Sequence, residues 1–464
     1  MSTVTLINGA GASAGPRSLR ERLDRLADDL HARPAPMRGA DAYRALKARI
    51  HLRLVEKLDL AAVESLPPEK LRHEIALLVD RLLAEDQAAI NESERADLVR
   101  DLQHEMLGFG PLELLMADPL VSDILVNAWN QVYVERRGRL ERTGVSFNDE
   151  PHLLRIIDKI VSRVGRRIDE SSPMVDARLP DGSRVNAVVP PAAIDGAMMS
   201  IRRFAHVPLR MQDLVDAQKT LTPDMAQLLH ALVRAKVNML VSGGTGAGKT
   251  TLLNILSGYI PETERVITIE DAAELQMQQP HVIRMESRPP NIEGRGEITQ
   301  RALMRNALRM RPDRIVIGEV RGPEAFDMLQ AMNTGHEGSL TTVHANTPRD
   351  ALSRLENMIG MANLNLPARA VRQQVAAAIN VVVQVLRLTD GRRKVTSIQE
   401  ITGMEGEVVT MQEIFAFRQT GVAADGAVQG HFEATGVRPR LVERLRRFGI
   451  VLPEAMFNPE RRFQ

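Results

Sequence analysis

The 464-residue chain carries 60 lysine and arginine residues against 59 aspartate and glutamate residues, so its formal net charge of +1 provides no global field to attract nucleic acid or anionic lipid. It contains no cysteine, which excludes disulfides and thiolate metal sites. No run of about 18 apolar residues is present, and the first 30 residues lack the apolar segment of a signal peptide. We therefore expect a cytoplasmic protein of two or three domains with no direct membrane insertion.

The first 40 residues (1–40) form a predicted flexible tail. Two segments rich in Gly, Pro and small residues, GAGASAGP and RPAPMRGA, are typical of linkers. Between them a capping-box pattern begins at Ser18, and leucines at helical spacing predict a short amphipathic helix over residues 18–32. This helix either packs on its own domain or recruits a regulatory partner.

Residues 41–105 are predicted to be a helical bundle. Apolar residues recur there at helical spacing, and Pro67 and Pro68 mark a break between helices. Nothing in this region indicates chemistry, so we expect it to pack against or connect other parts of the chain.

Residues 106–215 predict a mixed α/β domain. Two strands are expected on either side of a turn at Gly138, followed by an amphipathic helix over residues 151–165. A hairpin is expected around Asp181 and Gly182, and MMSIRRF forms a further strand. A linker near residues 205–220 should separate this domain from the next.

Residues 221–464 alternate apolar strands with helices. The strands are expected at NMLVSG, VITIED, RIVIGEV, SLTTVH and VVVQVLRL. This alternation predicts an α/β domain with a largely parallel sheet. The last 30 residues are rich in arginine, and we expect them to be helical and peripheral.

The segment GGTGAGKT (243–250) matches the phosphate-binding pattern G-x-x-x-x-G-K-T between a strand and a helix, the context that this motif requires. Lys249 should reach the β- and γ-phosphates of ATP, and Thr250 should bind Mg²⁺. The nucleotide-binding residues predicted here are Gly243, Gly244, Thr245, Gly246, Ala247, Gly248, Lys249, Thr250 and Thr251.

Two further strands end in carboxylates. RIVIGEV ends at Gly318 and Glu319, and Glu319 should hold Mg²⁺ through a water molecule. VITIED ends at Glu270, at the end of a parallel strand where such sheets bind ligands. Glu270 is our first choice for the residue that positions the attacking water, and Glu319 is the second.

GHEGSLTTVHANTP (335–348) places His336 and His344 eight positions apart around a predicted strand. The two histidines could bind a metal, be structural, or sense the nucleotide. Because the strand should lie next to the one that ends at Glu319, we favour a sensor, with Thr341, Thr342 and His344 near the γ-phosphate.

RALMRNALRMR (301–311) places Arg301, Arg305 and Arg309 on one helical stripe. This stripe is a solvated or subunit-interface face, or it contacts DNA. Aromatic residues make up only 3% of the chain and none interleaves here, so we expect no nucleic acid partner.

Four segments resemble the conserved boxes of the secretion and pilus-assembly ATPase superfamily (type II/IV secretion ATPases). In chain order, the Walker A box is matched by GGTGAGKT, the Asp box by ITIEDAAEL, the Walker B box by RPDRIVIGEVRG and the His box by TGHEGSLTTVHANTP. The upstream run RRIDESSPMVDARLPDGSRVNAVVPP and SIRRF is similar to the CpaF-type ATPase of tight-adherence (Flp/Tad) pili. The resemblance covers roughly residues 100–400.

The resemblance implies a PAS-like N-terminal domain and a RecA-like motor domain, joined by a flexible linker and assembled as a homohexamer. Glu270 matches the catalytic glutamate of the family, Glu319 the Walker B glutamate, and His336 and His344 the His box. Arginines of the N-terminal domain should close on the phosphates; the candidates, for catalysis or phosphate binding, are Arg184, Arg202 and Arg203.

The implied function is a Mg-ATP-driven motor that is peripheral to the inner membrane. It would power assembly of a type IV (Tad/Flp) pilus through an inner-membrane platform protein, and retraction stays open. The main competing function is that of a DNA- or protein-export ATPase of a type IV secretion system, which shares the four boxes but usually lacks a long N-terminal helical addition. A DNA helicase or recombinase on the same motor fold and a non-enzymatic nucleotide-binding scaffold are also compatible with the phosphate loop.

Overall fold

The computed structural model describes residues 40–57, 67–88, 90–136, 138–203, 209–288, 290, 294–362 and 364–463. The chain divides into two compact units, Met1–His206 and Val207–Gln464. The predicted tail with its helix over residues 18–32 lies outside the described residues, as do residues 205–208 of the predicted linker.

The first unit begins with three helices, where the sequence predicts a helical bundle. They are α1 (Ala40–Lys57), α2 (Pro68–Glu85) and α3 (Glu92–Leu107). Their buried leucine, isoleucine and valine residues form a core of their own. Asn91 and Glu94 form a reciprocal capping box at the start of α3, which satisfies two backbone N–H groups there.

The rest of the first unit is a six-stranded antiparallel sheet with the strand order β3-β2-β1-β6-β5-β4. The strands are β1 (Val121–Ala128), β2 (Gln131–Arg136), β3 (Arg139–Arg142), β4 (Met174–Arg178), β5 (Arg184–Val188) and β6 (Met198–Arg202). The short helix α4 (Glu113–Ala117) precedes β1, and the amphipathic helix α5 (Glu150–Arg163) packs its apolar side into the core. The turns that the sequence predicts at Gly138 and Gly182 have positive φ angles of 82° and 92°.

The second unit contains a ten-stranded sheet with the order β16-β15-β14-β13-β12-β7-β11-β10-β8-β9. Its strands are β7 (Met239–Gly243), β8 (Val266–Glu270), β9 (Val282–Glu286), β10 (Arg314–Ile317), β11 (Leu340–Val343), β12 (Val381–Arg387), β13 (Arg393–Glu405), β14 (Val408–Val422), β15 (Val428–Ala434) and β16 (Arg462–Phe463). The mixed α/β fold that the sequence predicts is confirmed.

Only one part of this sheet is parallel. Strands β12, β7, β11, β10, β8 and β9 run parallel, whereas β12 to β16 pair antiparallel. The expectation of a largely parallel sheet therefore overlooked the antiparallel strands β13 to β16. The tight turns at Gly391, Gly406 and Gly426, each with positive φ, return the chain directly into the neighbouring strand.

Helices cover the sheet of the second unit and fill two apolar cores. They are α6 (Pro223–Arg234), α7 (Lys249–Ser257), α8 (Gln300–Ala307), α9 (Glu324–Asn333), α10 (Pro348–Gly360), α11 (Ala368–Ala378) and α12 (Val442–Arg447). The expectation of a helical and peripheral C-terminal segment is wrong. Among residues 435–463 only the six-residue α12 is α-helical, and Leu445, Met456 and Phe457 are buried in the core.

The parallel strands decide where chemistry can occur. Because β7, β8, β10 and β11 run in the same direction, the residues that follow them meet at one edge of the sheet. We call this the carboxyl edge, and the opposite edge, where these strands begin, the amino edge.

Candidate active site

The phosphate-binding loop connects β7 to α7 at the carboxyl edge. Gly246 and Gly248 have φ angles of 69° and 96°, which favour glycine. A Cβ atom on Gly243 would lie 2.3 Å from the Val385 carbonyl oxygen, so only glycine fits there. The loop thus brings backbone N–H groups and the start of a helix together, an arrangement that attracts phosphate.

Lys249 is the first residue of α7, and its Nζ donates a hydrogen bond to the Gly244 carbonyl oxygen at 3.0 Å. Thr250 and Thr251 follow in the first turn of α7 and are half-buried. The predicted phosphate-loop residues therefore extend from the end of β7 into the first turn of α7.

Glu270 ends β8 and is 2% exposed. Its Oε2 accepts hydrogen bonds from the backbone N–H groups of Glu274 and Leu275 at 2.7 and 2.8 Å. Its buried Oε1 has no hydrogen-bond partner among the described residues. Burial raises the pKa of this carboxyl group, since the charged form is poorly solvated, although the two backbone hydrogen bonds oppose the change. One oxygen is thus fixed, and the other remains able to accept a proton or a hydrogen bond.

Glu319 lies next to this group, one residue beyond Gly318. A Cβ atom on Gly318 would lie 3.2 Å from Glu270 Cγ, so glycine allows the two carboxylate-bearing segments to approach. Glu319 Oε2 accepts from Arg321 Nε at 3.0 Å and from Nη2 at 2.6 Å. Sequence reasoning missed Arg321, although it follows Glu319 by two residues.

The donors at this edge fit Mg²⁺. Among the described residues there is no group of three or more His, Asp or Glu side chains that could enclose a metal ion. Mg²⁺ does not require such a group, because it usually binds one or two protein oxygens together with substrate phosphates and water. The Thr250 hydroxyl group and the Glu319 carboxylate are suitable protein ligands, directly or through water.

His344 follows β11 directly and is half-buried. Burial and the positive charge of Lys249 lower its pKa, while Glu319 acts in the opposite direction. The imidazole therefore favours the neutral form, which can both donate and accept a hydrogen bond. Gln384 on β12 fixes the next residues, since its Nε2 donates to the carbonyl oxygens of Ala345 at 3.2 Å and Asn346 at 3.1 Å.

His336 is not brought to this site. It precedes β11 and lies at the amino edge, where its carbonyl oxygen accepts from Ser339 Oγ at 2.8 Å. Ser339 in turn donates from its backbone N–H to Asn238 Oδ1 beside the start of β7. The four residues of β11, about 13 Å long, separate the two histidines. Thr341 and Thr342 are buried within β11, and Thr342 Oγ1 donates to the Gly318 carbonyl oxygen at 2.7 Å.

The three predicted arginines belong to the first unit. Arg184 and Arg202 are direct partners in the register of β5 and β6, and they form ion pairs with Asp176 at 3.2 Å and Asp123 at 3.3 Å, respectively. Arg202 is the more exposed, at 58% of its side chain against 33% for Arg184.

Arg203 has a different environment from its neighbour. Its Nη1 donates to the backbone carbonyl oxygens of Asp118 and Val121, and burial lowers its pKa. Its Nη1 is thus engaged inside its own domain, and the role at the phosphates that the sequence suggests for Arg203 stays a prediction. Of the two adjacent candidates, Arg202 is the one on the open face of the sheet.

The arginine stripe on α8 has a structural explanation. Arg301 Nε and Arg305 Nε bind the two carboxylate oxygens of Asp327 on α9 at 2.7 and 3.0 Å. Arg309 lies beyond the end of α8. Two of the three side chains therefore link neighbouring helices.

Comparison with known proteins shows the family of this chain. The family model described as "Type II/IV secretion system protein" matches residues 105–437. The chain belongs to this family. This secretion ATPase therefore uses ATP, and its helices α1 and α2 lie outside the matched region.

The secretion ATPase is similar to a "putative conjugal transfer protein" of Mycobacterium tuberculosis, with 39% identity over 346 residues, 73% of this chain and 96% of that protein. It is 31% identical to the "type IV secretion system protein VirB11" of Bartonella henselae, over 62% of this chain and 90% of that protein. The crystal structure of the VirB11 ATPase of Brucella suis with sulphate matches 62% of this chain and 95% of its own, with 29% identity and a TM-score of 0.35. In the part of the chain that the structure describes, no helix combines the length and the apolar character needed to span a membrane.

Proposed function

We propose that this secretion ATPase is a homohexameric, Mg²⁺-dependent motor that powers assembly of a tight-adherence (Tad/Flp) pilus through an inner-membrane platform protein. The observation that carries its enzymatic part is the convergence of Lys249, Glu270, Glu319 and His344 at one edge of the sheet. A phosphate loop, a buried carboxylate and a second carboxylate are what hydrolysis of a nucleoside triphosphate requires.

In this proposal, Lys249 and the loop N–H groups hold the β- and γ-phosphates. Glu270 accepts a proton from water at its unpartnered Oε1 while the water oxygen attacks the γ-phosphorus and the bridging oxygen departs with ADP. Bound Mg²⁺ would neutralise phosphate charge, with Thr250 and Glu319 as its protein ligands. His344 contacts the γ-phosphate or Glu319 and senses whether the γ-phosphate is present. His336 is too far along the strand to join it within one chain.

The arginines of the first unit would complete the site when the domains close, and Arg184 and Arg202 are our candidates. A positioned arginine raises the rate of phosphoryl transfer by roughly 10³–10⁵. Closing and reopening of the two domains with each turnover would supply the movement that is passed to the partner.

Different observations support the pilus and the export machinery as the system that this motor serves. The run over residues 166–191 and the N-terminal helices support the tight-adherence pilus. The similarity to a conjugal transfer protein and to VirB11 supports export of DNA or protein by a type IV secretion system, which we retain as the second candidate. Deletion of the gene in its natural host separates them, because loss of surface pili with unchanged transfer supports the first, and loss of transfer with normal pili supports the second.

Steady-state ATPase activity of the wild type and Glu270→Gln, with particle mass measured in the presence of nucleotide, tests the motor. We expect a hexamer whose turnover falls by about 10²–10⁴ in the variant while ATP still binds. Unchanged turnover in Glu270→Gln would assign the proton acceptor elsewhere, first to Glu319. Turnover by a monomer would contradict the ring.

The same assay separates the motor from a helicase and from a scaffold. A helicase or recombinase should be stimulated by DNA, and a nucleotide-binding scaffold should release no phosphate. We expect turnover that is insensitive to DNA.

A further inference from the structure

The hairpin formed by β12 and β13 places two arginines beside the phosphate loop. Arg393, the first residue of β13, donates from Nε to the Gly246 carbonyl oxygen at 2.9 Å. A Cβ atom built on Gly246 would lie 3.3 Å from Arg387 Nη1, and one built on Gly248 would lie 3.3 Å from Arg393 Cδ. Both arginines are half-buried. They are therefore part of the wall of the nucleotide site, in the same chain as Lys249.

The register of the hairpin concentrates positive charge at this wall. Arg387 and Arg393 are direct partners across β12 and β13. Both side chains approach glycines of the phosphate loop, so negative charge bound there is attracted to the two guanidinium groups.

The position of the hairpin indicates which end of the nucleotide it faces. Strand β7, which leads into the phosphate loop, lies between β11 and β12. Glu270, Glu319 and His344 all follow strands on the β11 side. The γ-phosphate of a bound nucleotide would therefore lie towards β11, and its α-phosphate and ribose would extend towards the hairpin.

We propose that Arg387 and Arg393 are nucleotide-positioning residues that set the affinity for the diphosphate part common to ATP and ADP. Arg393 fixes the planar peptide between Gly246 and Ala247 through the Gly246 carbonyl oxygen. Arg387 adds positive charge near the α- and β-phosphates. Neither residue takes part in cleavage of the γ-phosphate. The proposal rests on nucleotide binding at the phosphate loop and does not require the pilus or the ring.

The test uses the full chain with the variants Arg387→Gln, Arg393→Gln and Arg393→Lys. Arg418→Gln is the matched control, because it removes the same charge from β14, where Arg418 pairs with Glu413 and Glu433. Titration with a fluorescent N-methylanthraniloyl derivative of ADP, and competition with ADP and ATP, gives the Kd values. Steady-state kinetics gives kcat and KM, and thermal unfolding verifies that each variant is folded.

We expect each Gln variant to weaken ADP and ATP binding equally, by about tenfold, with kcat at saturating ATP changed less than about threefold. Arg393→Lys keeps the charge and should recover part of the loss. The control should bind as the wild type does. Added salt should weaken binding less in Arg387→Gln than in the wild type.

Kd values within twofold of the wild type in both Gln variants would overturn the proposal. A loss confined to kcat would also overturn it, because the arginines would then act on the chemical step. An equal loss of nucleotide affinity in Arg418→Gln would show that the effect depends only on the net charge of the protein, and this would overturn the proposal as well. A wild type that binds ADP but hydrolyses no ATP would contradict the proposed motor, while the comparison of Kd values would still test the arginines.

Discussion

The two edges of the parallel strands use the same residue types for opposite purposes. At the amino edge, the fully buried Arg314 pairs with Glu264 at 2.6 Å, and Arg444 pairs with Glu337 at 2.7 Å. At the carboxyl edge, the buried Glu270 has one carboxylate oxygen without a hydrogen-bond partner among the described residues. A buried charge that is fully paired is inert, whereas a buried carboxylate with an open oxygen is available for a substrate.

The histidines follow the same division. His336 and His344 lie eight positions apart in one motif, but only His344 lies at the edge with Lys249 and Glu319. Residue type and motif are therefore insufficient to assign a role to either histidine. The direction of β11, which lies between the two histidines, decides which of them is at the carboxyl edge.

The largest expected effect is a loss of stability when the buried ion pair at the amino edge is disrupted. Arg314→Met leaves Glu264 buried with Lys236 as its remaining cation, at 3.6 Å. We expect a loss of about 3–5 kcal/mol in the free energy of unfolding, measured by urea denaturation, with KM for ATP unchanged in the folded protein. The double variant Arg314→Met/Glu264→Leu should recover most of this stability, because no buried charge is left unpaired and Lys236, which also loses Glu264, is 32% exposed. A single variant within about 1 kcal/mol of the wild type would mean that water solvates this pair.

The two histidines test the difference between the edges through the ATPase rate. We expect His344→Ala to lower kcat by about tenfold to a hundredfold, because the contact proposed with the γ-phosphate or Glu319 is lost. His336→Ala is the matched control and should keep kcat within about threefold. Steady-state kinetics at saturating ATP measures both. If His336→Ala were the more damaging, the amino edge would contribute to turnover, for example by contact with a neighbouring subunit.

The smallest effect concerns the dependence of activity on pH. In the proposed mechanism Glu270 accepts a proton, which requires the ionised carboxylate, and burial raises its pKa above the ordinary value of 4.5. As the pH falls, kcat/KM should therefore decline with an apparent pKa above 4.5, since the folded carboxyl group protonates at a higher pH than an exposed one. A profile of kcat/KM over the acid range measures this, because kcat/KM reports the ionisation of the free enzyme. Glu270→Gln should lose this acid limb, and an unchanged limb in the variant would assign it to another group.

The fold was predictable from the sequence wherever periodicity was strong. The apolar runs VITIE, RIVI and LTTV are buried strands in the structure, and the hairpin at Gly182 has the expected turn. The antiparallel half of the sheet was missed, because its strands share the apolar character of the parallel ones. The turns at Gly391 and Gly426, interpreted as hairpins, would have revealed it.

The residues of the candidate site that stand in short sequence motifs were also predictable from the sequence. Lys249, Glu270 and Glu319 stand in motifs with a defined context at strand ends, and the structure brings them together. Arg387 and Arg393 were not found, because they lie far from the loop in sequence; Gly246 and Arg393 are 147 positions apart. Their approach depends on the pairing of β12 with β7.

The sequence by itself determined the phosphate loop, the strand ends that carry carboxylates, and the absence of thiolate chemistry, because each depends on residue type within a few positions. Only the tertiary structure decided that His344 and not His336 lies beside Lys249, that Arg203 is engaged by Asp118 and Val121, and that two arginines flank the phosphate loop. Those assignments depend on strand order, strand direction and burial, which arise from packing between segments far apart in the chain.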